Sequence, residues 1–156
     1  QLGPLVSEKQ LMRVMGYVRT ELQEGGTLVS GGERHGERGW FHQPTNLAGL
    51  QESARIVQEE IFGPVLIATP FDDIDEVAAL ANGTVYGLSA SIWSNNMTAV
   101  LRLVPKIKAG SVWVNCHNMI DPAMPFGGFK QSGFGREHGR SGIEMYTEQK
   151  SVCIAI

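Results

Sequence analysis

Polar and apolar positions follow a helical period near the start of this chain and a strand pattern further along. After a capping-box pattern at 7–10, apolar residues recur at the spacing of one helix face, at Leu11, Val14, Met15, Val18 and Leu22. Asp73 and Asn96 each precede another helical series and are suitable N-caps. Short apolar runs predict strands at 27–30, 65–68, 88–93 and 111–115.

From 65 to 115 the predicted order is β–α–β–α–β, which is typical of parallel strands joined by right-handed crossovers. We therefore predict the α/β class, with an open, mostly parallel sheet and helices on both faces. Beyond 115 the pattern ends, except for a short helix predicted at 141–145 and an apolar extended run at 151–156. Ligands of open α/β sheets bind beyond the carboxyl ends of the strands, so the loop 116–140 is the predicted ligand-binding segment.

The amino-acid composition restricts the classes of function that this chain can have. The 156 residues are 42% hydrophobic and 19% charged, which fits one globular domain. A formal net charge of −3 with mixed signs gives no basic face, so no nucleic-acid partner is predicted. No apolar run of about 18 residues occurs, so no membrane partner is predicted. Two cysteines cannot form a disulfide framework, which favours a reduced, cytoplasmic protein.

Three patterns suggest a catalytic, metal or phosphate-binding site, but their spacing or their sequence context does not fit such a site. Cys116 and His117 are adjacent on a predicted extended segment, so their side chains point to opposite sides and do not readily pair. The histidines lack i, i+4 spacing and no Cys-x-x-Cys occurs, so no metal is predicted. The glycines of 127–135 are not followed by a strong helix, unlike those of a phosphate-binding loop. We interpret them as a tight loop that needs positive φ angles.

The segment 59–64, EEIFGP, combines two carboxylates with an aromatic residue and a turn. Glu60 and Phe62 are expected to share one side of an extended segment, because successive side chains alternate. A carboxylate can accept two hydrogen bonds from a ribose, and a phenyl ring can pack on a flat nicotinamide. A solvated acidic face remains an open alternative for the two glutamates.

Segment 59–64, followed by GSVWVN at 110–115 and PFGGFKQSGFGRE at 125–137, resembles the C-terminal part of an NAD(P)-dependent aldehyde dehydrogenase. The resemblance extends from about Gly3 to Ile156, and 115–126 is most similar to phenylacetaldehyde and related aryl or aliphatic aldehyde dehydrogenases. It implies oxidation of an aldehyde to a carboxylic acid with NAD or NADP. It also implies that the nucleophilic cysteine, the general base and the dinucleotide-binding domain lie upstream of Gln1. The isolated chain is therefore expected to be an inactive part of a longer polypeptide.

The resemblance also implies roles for individual residues. Glu60 would bind the nicotinamide ribose, and Phe62 would lie beside the ring. Gln10 and Arg13 match a glutamine and a lysine near the adenosine ribose, although an exposed polar helix face is the alternative. Glu59 would be structural.

In the second half of the chain, the resemblance implies that the aldehyde tunnel is lined by Asn118, Ile120 and Phe126. Many relatives carry an aromatic residue where Ile120 stands. Glu137 matches a glutamate that relays protons to the upstream base in some relatives. Core packing of Phe126 and a turn cap by Glu137 remain open alternatives.

The resemblance further implies a division into a catalytic part, 1–140, and a connector with an oligomerisation strand, 141–156. That strand would join a neighbouring subunit of a homo-oligomer, where Glu148 would pair with arginines, of which Arg136 matches one. A different class of function also stays open. The chain could be a non-catalytic binding or assembly module that pairs with full-length subunits.

Overall fold

The computed structural model describes residues 2–156, and the chain divides into two compact units, Gln1–Asp72 and Asp73–Ile156. In the first unit, helix α1 (Glu8–Gln23) begins at Ser7, whose hydroxyl accepts a hydrogen bond from the Gln10 amide at 3.2 Å. The helix ends before Gly25, which has a φ of +101°. Both ends lie where the capping box and the glycine pair predict them.

Three strands form the sheet of the first unit: β1 (Thr27–Ser30), β2 (Thr45–Ala48) and β3 (Val65–Ala68). β2 lies between the other two, antiparallel to β1 and parallel to β3. The parallel pair is joined by a connection that contains the short helix α2 (Arg55–Gln58), as a parallel crossover requires. The core of this unit consists of the buried residues Val14, Tyr17, Leu47, Ile56 and Ile61.

In the second unit, helix α3 (Ile74–Asn82) is followed by β4 (Tyr86–Gly87) and β5 (Ser89–Ile92). Helix α4 (Met97–Leu103) continues into a 3₁₀ turn, and β6 (Ser111–Val114) follows. The unit ends with the short strand β7 (Phe129–Lys130) and helix α5 (Gly139–Glu144). β5 and β6, which are joined through α4, are parallel, whereas β4 and β7 are antiparallel.

The α/β class is confirmed, and parallel pairs occur where helices join the strands. Asp73 and Asn96 cap α3 and α4 as predicted, each accepting main-chain hydrogen bonds through its side chain. The sequence analysis did not predict α2 or β7. Residues 151–156 form no strand in the single chain, so the predicted oligomerisation strand stays a prediction. The division at 140/141 also stays a prediction.

Among residues 2–156, no helix is long and apolar enough to cross a bilayer. The same residues contain no group of three or more histidine, cysteine or acidic side chains that could hold a metal ion.

Candidate functional site

The loop at 59–64 turns sharply at Phe62, which has a φ of +58°. Left-handed backbone is unusual for a bulky residue and costs about 1–3 kcal/mol, so it persists only where surrounding contacts impose it. Our expectation of an extended segment was wrong at this residue, and the alternation argument for Glu60 and Phe62 does not apply. Both side chains are nevertheless exposed, and Phe62 retains 71% of its accessible surface.

Two residues of α1 hold the main chain of this loop. Gln10 Nε2 donates to the carbonyl oxygens of Ile61 at 3.0 Å and Phe62 at 2.9 Å. Arg13 Nη2 donates to the carbonyl oxygen of Glu60 at 2.9 Å. Gln10 and Arg13 are three residues apart and therefore share one helix face. That face is polar, as predicted, but it contacts the loop. Direct binding of a ribose by these two residues stays a prediction.

Glu59 is fixed through both carboxylate oxygens. Tyr17 donates its hydroxyl hydrogen to Glu59 Oε2 at 2.5 Å, and Arg55 Nε donates to Oε1 at 2.9 Å. These bonds, that of Arg55 first, lower the pKa of Glu59 from 4.5 to about 2. The guanidinium carbons of Arg55 and Arg13 lie 4.9 and 5.4 Å from the centroid of the Tyr17 ring. The carboxylate therefore stays ionised at neutral pH, tied to a buried tyrosine.

The N-terminal end of helix α2, which leads into the loop, is capped by a residue that is distant in the sequence. The carboxylate of Glu21 on α1 is 1% exposed, and its Oε1 accepts a hydrogen bond from the Ile56 amide at 3.3 Å. Ala54 at the N-cap supplies no side-chain hydrogen bond. Glu21 therefore takes the place of a local capping residue at the positive end of the helix.

In the second unit, Asn115 joins the ends of two strands. Its Nδ2 donates to the Ser94 carbonyl oxygen at 3.0 Å, and its Oδ1 accepts from the Ser94 amide at 2.9 Å. His117 Nδ1 lies 2.9 Å from Ser91 Oγ, which agrees with the expectation that it does not pair with Cys116. Asn118 is exposed and has a φ of +54°.

Ile120 and Phe126, two of the three predicted tunnel residues, line one cavity of about 140 Å³. Trp113 forms part of its wall and donates its indole hydrogen to the Met119 carbonyl oxygen at 2.8 Å. Asn118 is not among the lining residues. Phe126 also borders a larger cavity of about 530 Å³. Because Phe126 borders both cavities, its side chain does not serve only to fill the hydrophobic core.

Arg136 and Glu137 line the larger cavity. The main chains of Phe126 and Glu137 exchange two hydrogen bonds, of 2.8 and 2.7 Å. A turn cap requires an amide that donates to the Glu137 carboxylate, and none does so among residues 2–156. Arg136 Nη1 donates to the carbonyl oxygens of Gly128 at 2.9 Å and Gly135 at 2.8 Å. Its predicted pairing with Glu148, which is exposed here, stays a prediction.

Two glycines of this loop, Gly127 and Gly128, are needed for close packing. Gly133 has a φ of +137°, but Gly127, Gly128 and Gly135 do not lie in the left-handed region, so our explanation was wrong for these three. A Cβ on Gly128 would lie 2.5 Å from the Ser132 Cβ. A Cβ on Gly110 would lie 1.6 Å from the Gly127 carbonyl oxygen. Side chains are therefore excluded where main chain meets main chain.

Comparison with known proteins decides the family. The model of the aldehyde dehydrogenase family matches residues 1–152. The chain belongs to the aldehyde dehydrogenase family. It is 49% identical to a phenylacetaldehyde dehydrogenase of Pseudomonas fluorescens over 156 residues, and 48% identical to a mitochondrial aldehyde dehydrogenase of Leishmania tarentolae over 154. These matches cover 99% of this chain and 31% of each relative.

The fold agrees with solved aldehyde dehydrogenases. An NAD⁺ complex of the Bacillus cereus enzyme superposes with a TM-score of 0.94 at 46% identity, over 100% of this chain and 32% of that one. An NAD⁺ complex from Mycobacterium tuberculosis gives 0.92 at 44% identity, covering 99% and 32%. The chain thus spans about a third of the length of the relatives it matches.

In this aldehyde dehydrogenase chain, the predicted site residues fall into two groups. Within the first unit, the four predicted cofactor residues meet at one loop, namely Gln10, Arg13, Glu60 and Phe62. Within the second, Phe126 meets Ile120 at one cavity and Glu137 at another. Sequence analysis missed Tyr17 and Arg55, although the i, i+4 spacing of Arg13 to Tyr17 and Arg55 to Glu59 could have indicated both pairs.

Proposed function

We propose that this chain is the C-terminal part of an enzyme that oxidises an aldehyde to a carboxylic acid with NAD or NADP. The observation that carries the proposal is the loop at 59–64, which exposes Glu60 and Phe62 while Gln10 and Arg13 hold its main chain. Because the matched relatives are about three times as long, we place the nucleophile and general base in an upstream part of the same polypeptide.

The residues of this loop fit a nicotinamide ribose. Among the described residues, none forms a hydrogen bond or ion pair with the Glu60 carboxylate, so both oxygens are available to two neighbouring hydroxyls. The exposed ring of Phe62 offers a flat apolar face. NAD or NADP, when bound, supplies the hydride acceptor. Glu60 and Phe62 would fix the position of the nicotinamide half for hydride transfer.

The aldehyde would lie in the second unit. Ile120 and Phe126 give the smaller cavity an apolar wall, which suits an aryl or alkyl group. Glu137 lines the larger cavity and is exposed, so it is available to relay a proton to a base supplied upstream. The free cysteines Cys116 and Cys153 fit a reduced, cytoplasmic compartment.

The decisive experiment is Glu60→Gln in the full-length protein. Losing a hydrogen bond to a charged group costs about 1.5–3 kcal/mol, which corresponds to a fall of about ten- to a hundredfold in hydride transfer. Stopped-flow absorbance of the reduced cofactor measures this step. Glu52→Gln, an exposed glutamate of the same unit, is the control and should leave the rate unchanged. Equal rates in both variants would refute the proposed role of Glu60.

An assembly role is favoured by the apolar C-terminal tail. Val152 and Ile154 retain 74% and 78% of their accessible surface in the single chain, and a bare extended segment tends to pair with another chain. We therefore propose that 151–156 joins a neighbouring subunit of a homo-oligomer. Deletion of 151–156 and Glu148→Lys should each lower the mass measured by light scattering. If both variants keep the mass of the parent, the tail does not take part in assembly.

If the deletion lowers the mass but Glu60→Gln leaves catalysis intact, the chain is better described as a non-catalytic assembly module. The isolated chain is expected to show no turnover with aldehydes and NAD or NADP. Turnover that disappears in Cys116→Ala would contradict the upstream location of the nucleophile.

A further inference from the structure

We propose that Glu59 is a positioning residue, which acts through Tyr17 and Arg55 to fix the start of the loop that carries Glu60 and Phe62. The inference rests on the proposed function, because it concerns how the nicotinamide half of the cofactor is oriented. It assigns a role to a carboxylate whose two oxygens are bonded to Tyr17 and Arg55.

Glu59 is attached to the core of the first unit. Tyr17 is 5% exposed and belongs to the buried cluster that includes Val14, Leu47 and Ile56, so its hydroxyl has a fixed position. That hydroxyl donates to Glu59 Oε2. The Glu59 amide in turn donates to the Arg55 carbonyl oxygen at 2.9 Å and closes α2. Main chain and side chain of Glu59 are therefore both held.

A second ion pair with the same spacing lacks this attachment. Arg140 and Glu144 are also separated by four residues and also join Nε to Oε1 at 2.9 Å. In that pair the side chains are 92% and 60% exposed, and no buried hydroxyl joins them. Such pairs contribute little. What distinguishes Glu59 is Tyr17, which connects an ordinary surface ion pair to the core.

Glu59 is covalently linked to Glu60, so its position affects that of Glu60. Gln10 and Arg13 hold the carbonyl groups of 60–62, while Glu59 fixes the point at which the chain leaves α2. If the side chain of Glu59 is released, Gln10 and Arg13 still hold the loop, but the main chain at 59 keeps only its hydrogen bond to Arg55 and is less firmly fixed. Glu60 would still be present to bind the ribose, but it would be displaced. Orientation should therefore suffer more than cofactor affinity.

The catalytic test uses Glu59→Gln and Tyr17→Phe in the full-length protein, with Glu144→Gln as the matched control. A displacement of about 1 Å can slow a reaction up to a hundredfold, so we expect kcat to fall about five- to twentyfold. The cofactor Kd should change less than about twofold, because the hydrogen bonds of Gln10 and Arg13 to the carbonyl groups of the loop remain. An aldehyde deuterated at the carbonyl carbon should show a larger isotope effect on kcat. Glu144→Gln should match the parent in all three measurements.

A second readout needs no activity. In the 156-residue chain, chymotrypsin cleavage after Phe62 reports the mobility of the loop, and cleavage after Phe134, which is 98% exposed, is the internal reference. The ratio of the two cleavage rates should rise severalfold in Glu59→Gln and Tyr17→Phe and stay constant in Glu144→Gln. Circular dichroism melts would establish that each variant is folded.

The outcomes separate this inference from the proposed function. An unchanged cleavage ratio overturns the inference, whatever Glu60→Gln does. A raised ratio with unchanged kcat and isotope effect also overturns it, if Glu60→Gln is impaired. If Glu60→Gln is unimpaired, the proposed function fails, but a raised ratio still supports Glu59 as the residue that anchors this loop.

Discussion

The loops at 59–64 and 126–137 both carry candidate site residues, but they are held by different means. In the first, side chains reach the loop, among them Gln10, which binds two carbonyl oxygens. In the second, main chain packs on main chain, as where Gly110 meets the Gly127 carbonyl group, and Phe126 exchanges two hydrogen bonds with Glu137. The first loop therefore depends on what particular side chains donate. The second also accepts two hydrogen bonds from Arg136, but it depends chiefly on close main-chain packing that leaves no room for a side chain.

From this difference we can predict how each loop should respond to substitution. A loop held by side chains loses one contact at a time, and water can replace a lost hydrogen bond at an exposed carbonyl group. A loop held by main-chain packing has no flexible partner that can move away, so an added atom must displace the backbone. We expect graded effects in the first unit and abrupt effects in the second.

The largest effect is expected for Gly110→Ala. The new Cβ would lie 1.6 Å from the Gly127 carbonyl oxygen, so the backbone must move, at a cost of about 3 kcal/mol or more. Urea unfolding of the 156-residue chain measures this cost. The matched control is Gly135→Ala in the loop against which Gly110 packs, where the new Cβ would meet only the Met145 Cε at 3.4 Å. Equal stability of the two variants would contradict the close packing.

Local chemistry explains what the sequence could predict. The caps Ser7, Asp73 and Asn96 act on amides two or three residues away, so a short pattern identifies each helix start. Helix α2 could not be found in this way, because its amide at Ile56 is satisfied by Glu21, 35 residues away. A cap supplied by tertiary structure leaves no local signal.

The same distinction applies to the candidate site. Glu60 and Phe62 are recognisable from the motif, and both are exposed as a binding role requires. The left-handed backbone of Phe62 is not recognisable from the motif, and the Phe62 carbonyl oxygen is held by Gln10, 52 residues away. Tertiary contacts can override the local preference, so a rule based on strand periodicity fails at that residue.

An intermediate effect is expected for Gln10→Ala. It removes a partly buried hydrogen bond to the Ile61 carbonyl group and an exposed one to that of Phe62, and should lower the free energy of unfolding by about 1–2 kcal/mol. Lys9→Ala, its exposed neighbour on α1, is the control and should cost less than about 0.5 kcal/mol.

The Gln10 variant can also be tested against Phe62. If the amide imposes the left-handed backbone, its removal should cost less in a Phe62→Gly background, because glycine adopts that conformation without strain. A double-mutant cycle by urea unfolding measures the coupling. An additive cycle would show that Gln10 does not hold Phe62 in this conformation.

The smallest effect is the pH dependence due to Glu59, because the carboxylate is 44% exposed and solvent screens its interactions. Its pKa in the folded chain is about 2, below its ordinary value of 4.5, since Arg55 and Tyr17 favour the ionised form. A carboxylate with a lowered pKa stabilises the fold fully above pH 4.5 and loses that contribution as the pH falls towards 2. The stability difference between the parent and Glu59→Gln should therefore be constant at neutral pH and shrink across this window.

Asp75, whose pKa is lowered by its hydrogen bond to Lys106, titrates in both proteins and cancels in the difference. Urea midpoints at half-unit pH intervals measure it. A difference that stays constant down to pH 2 would mean that Tyr17 and Arg55 do not hold the carboxylate of Glu59, and that this carboxylate does not fix the start of the loop.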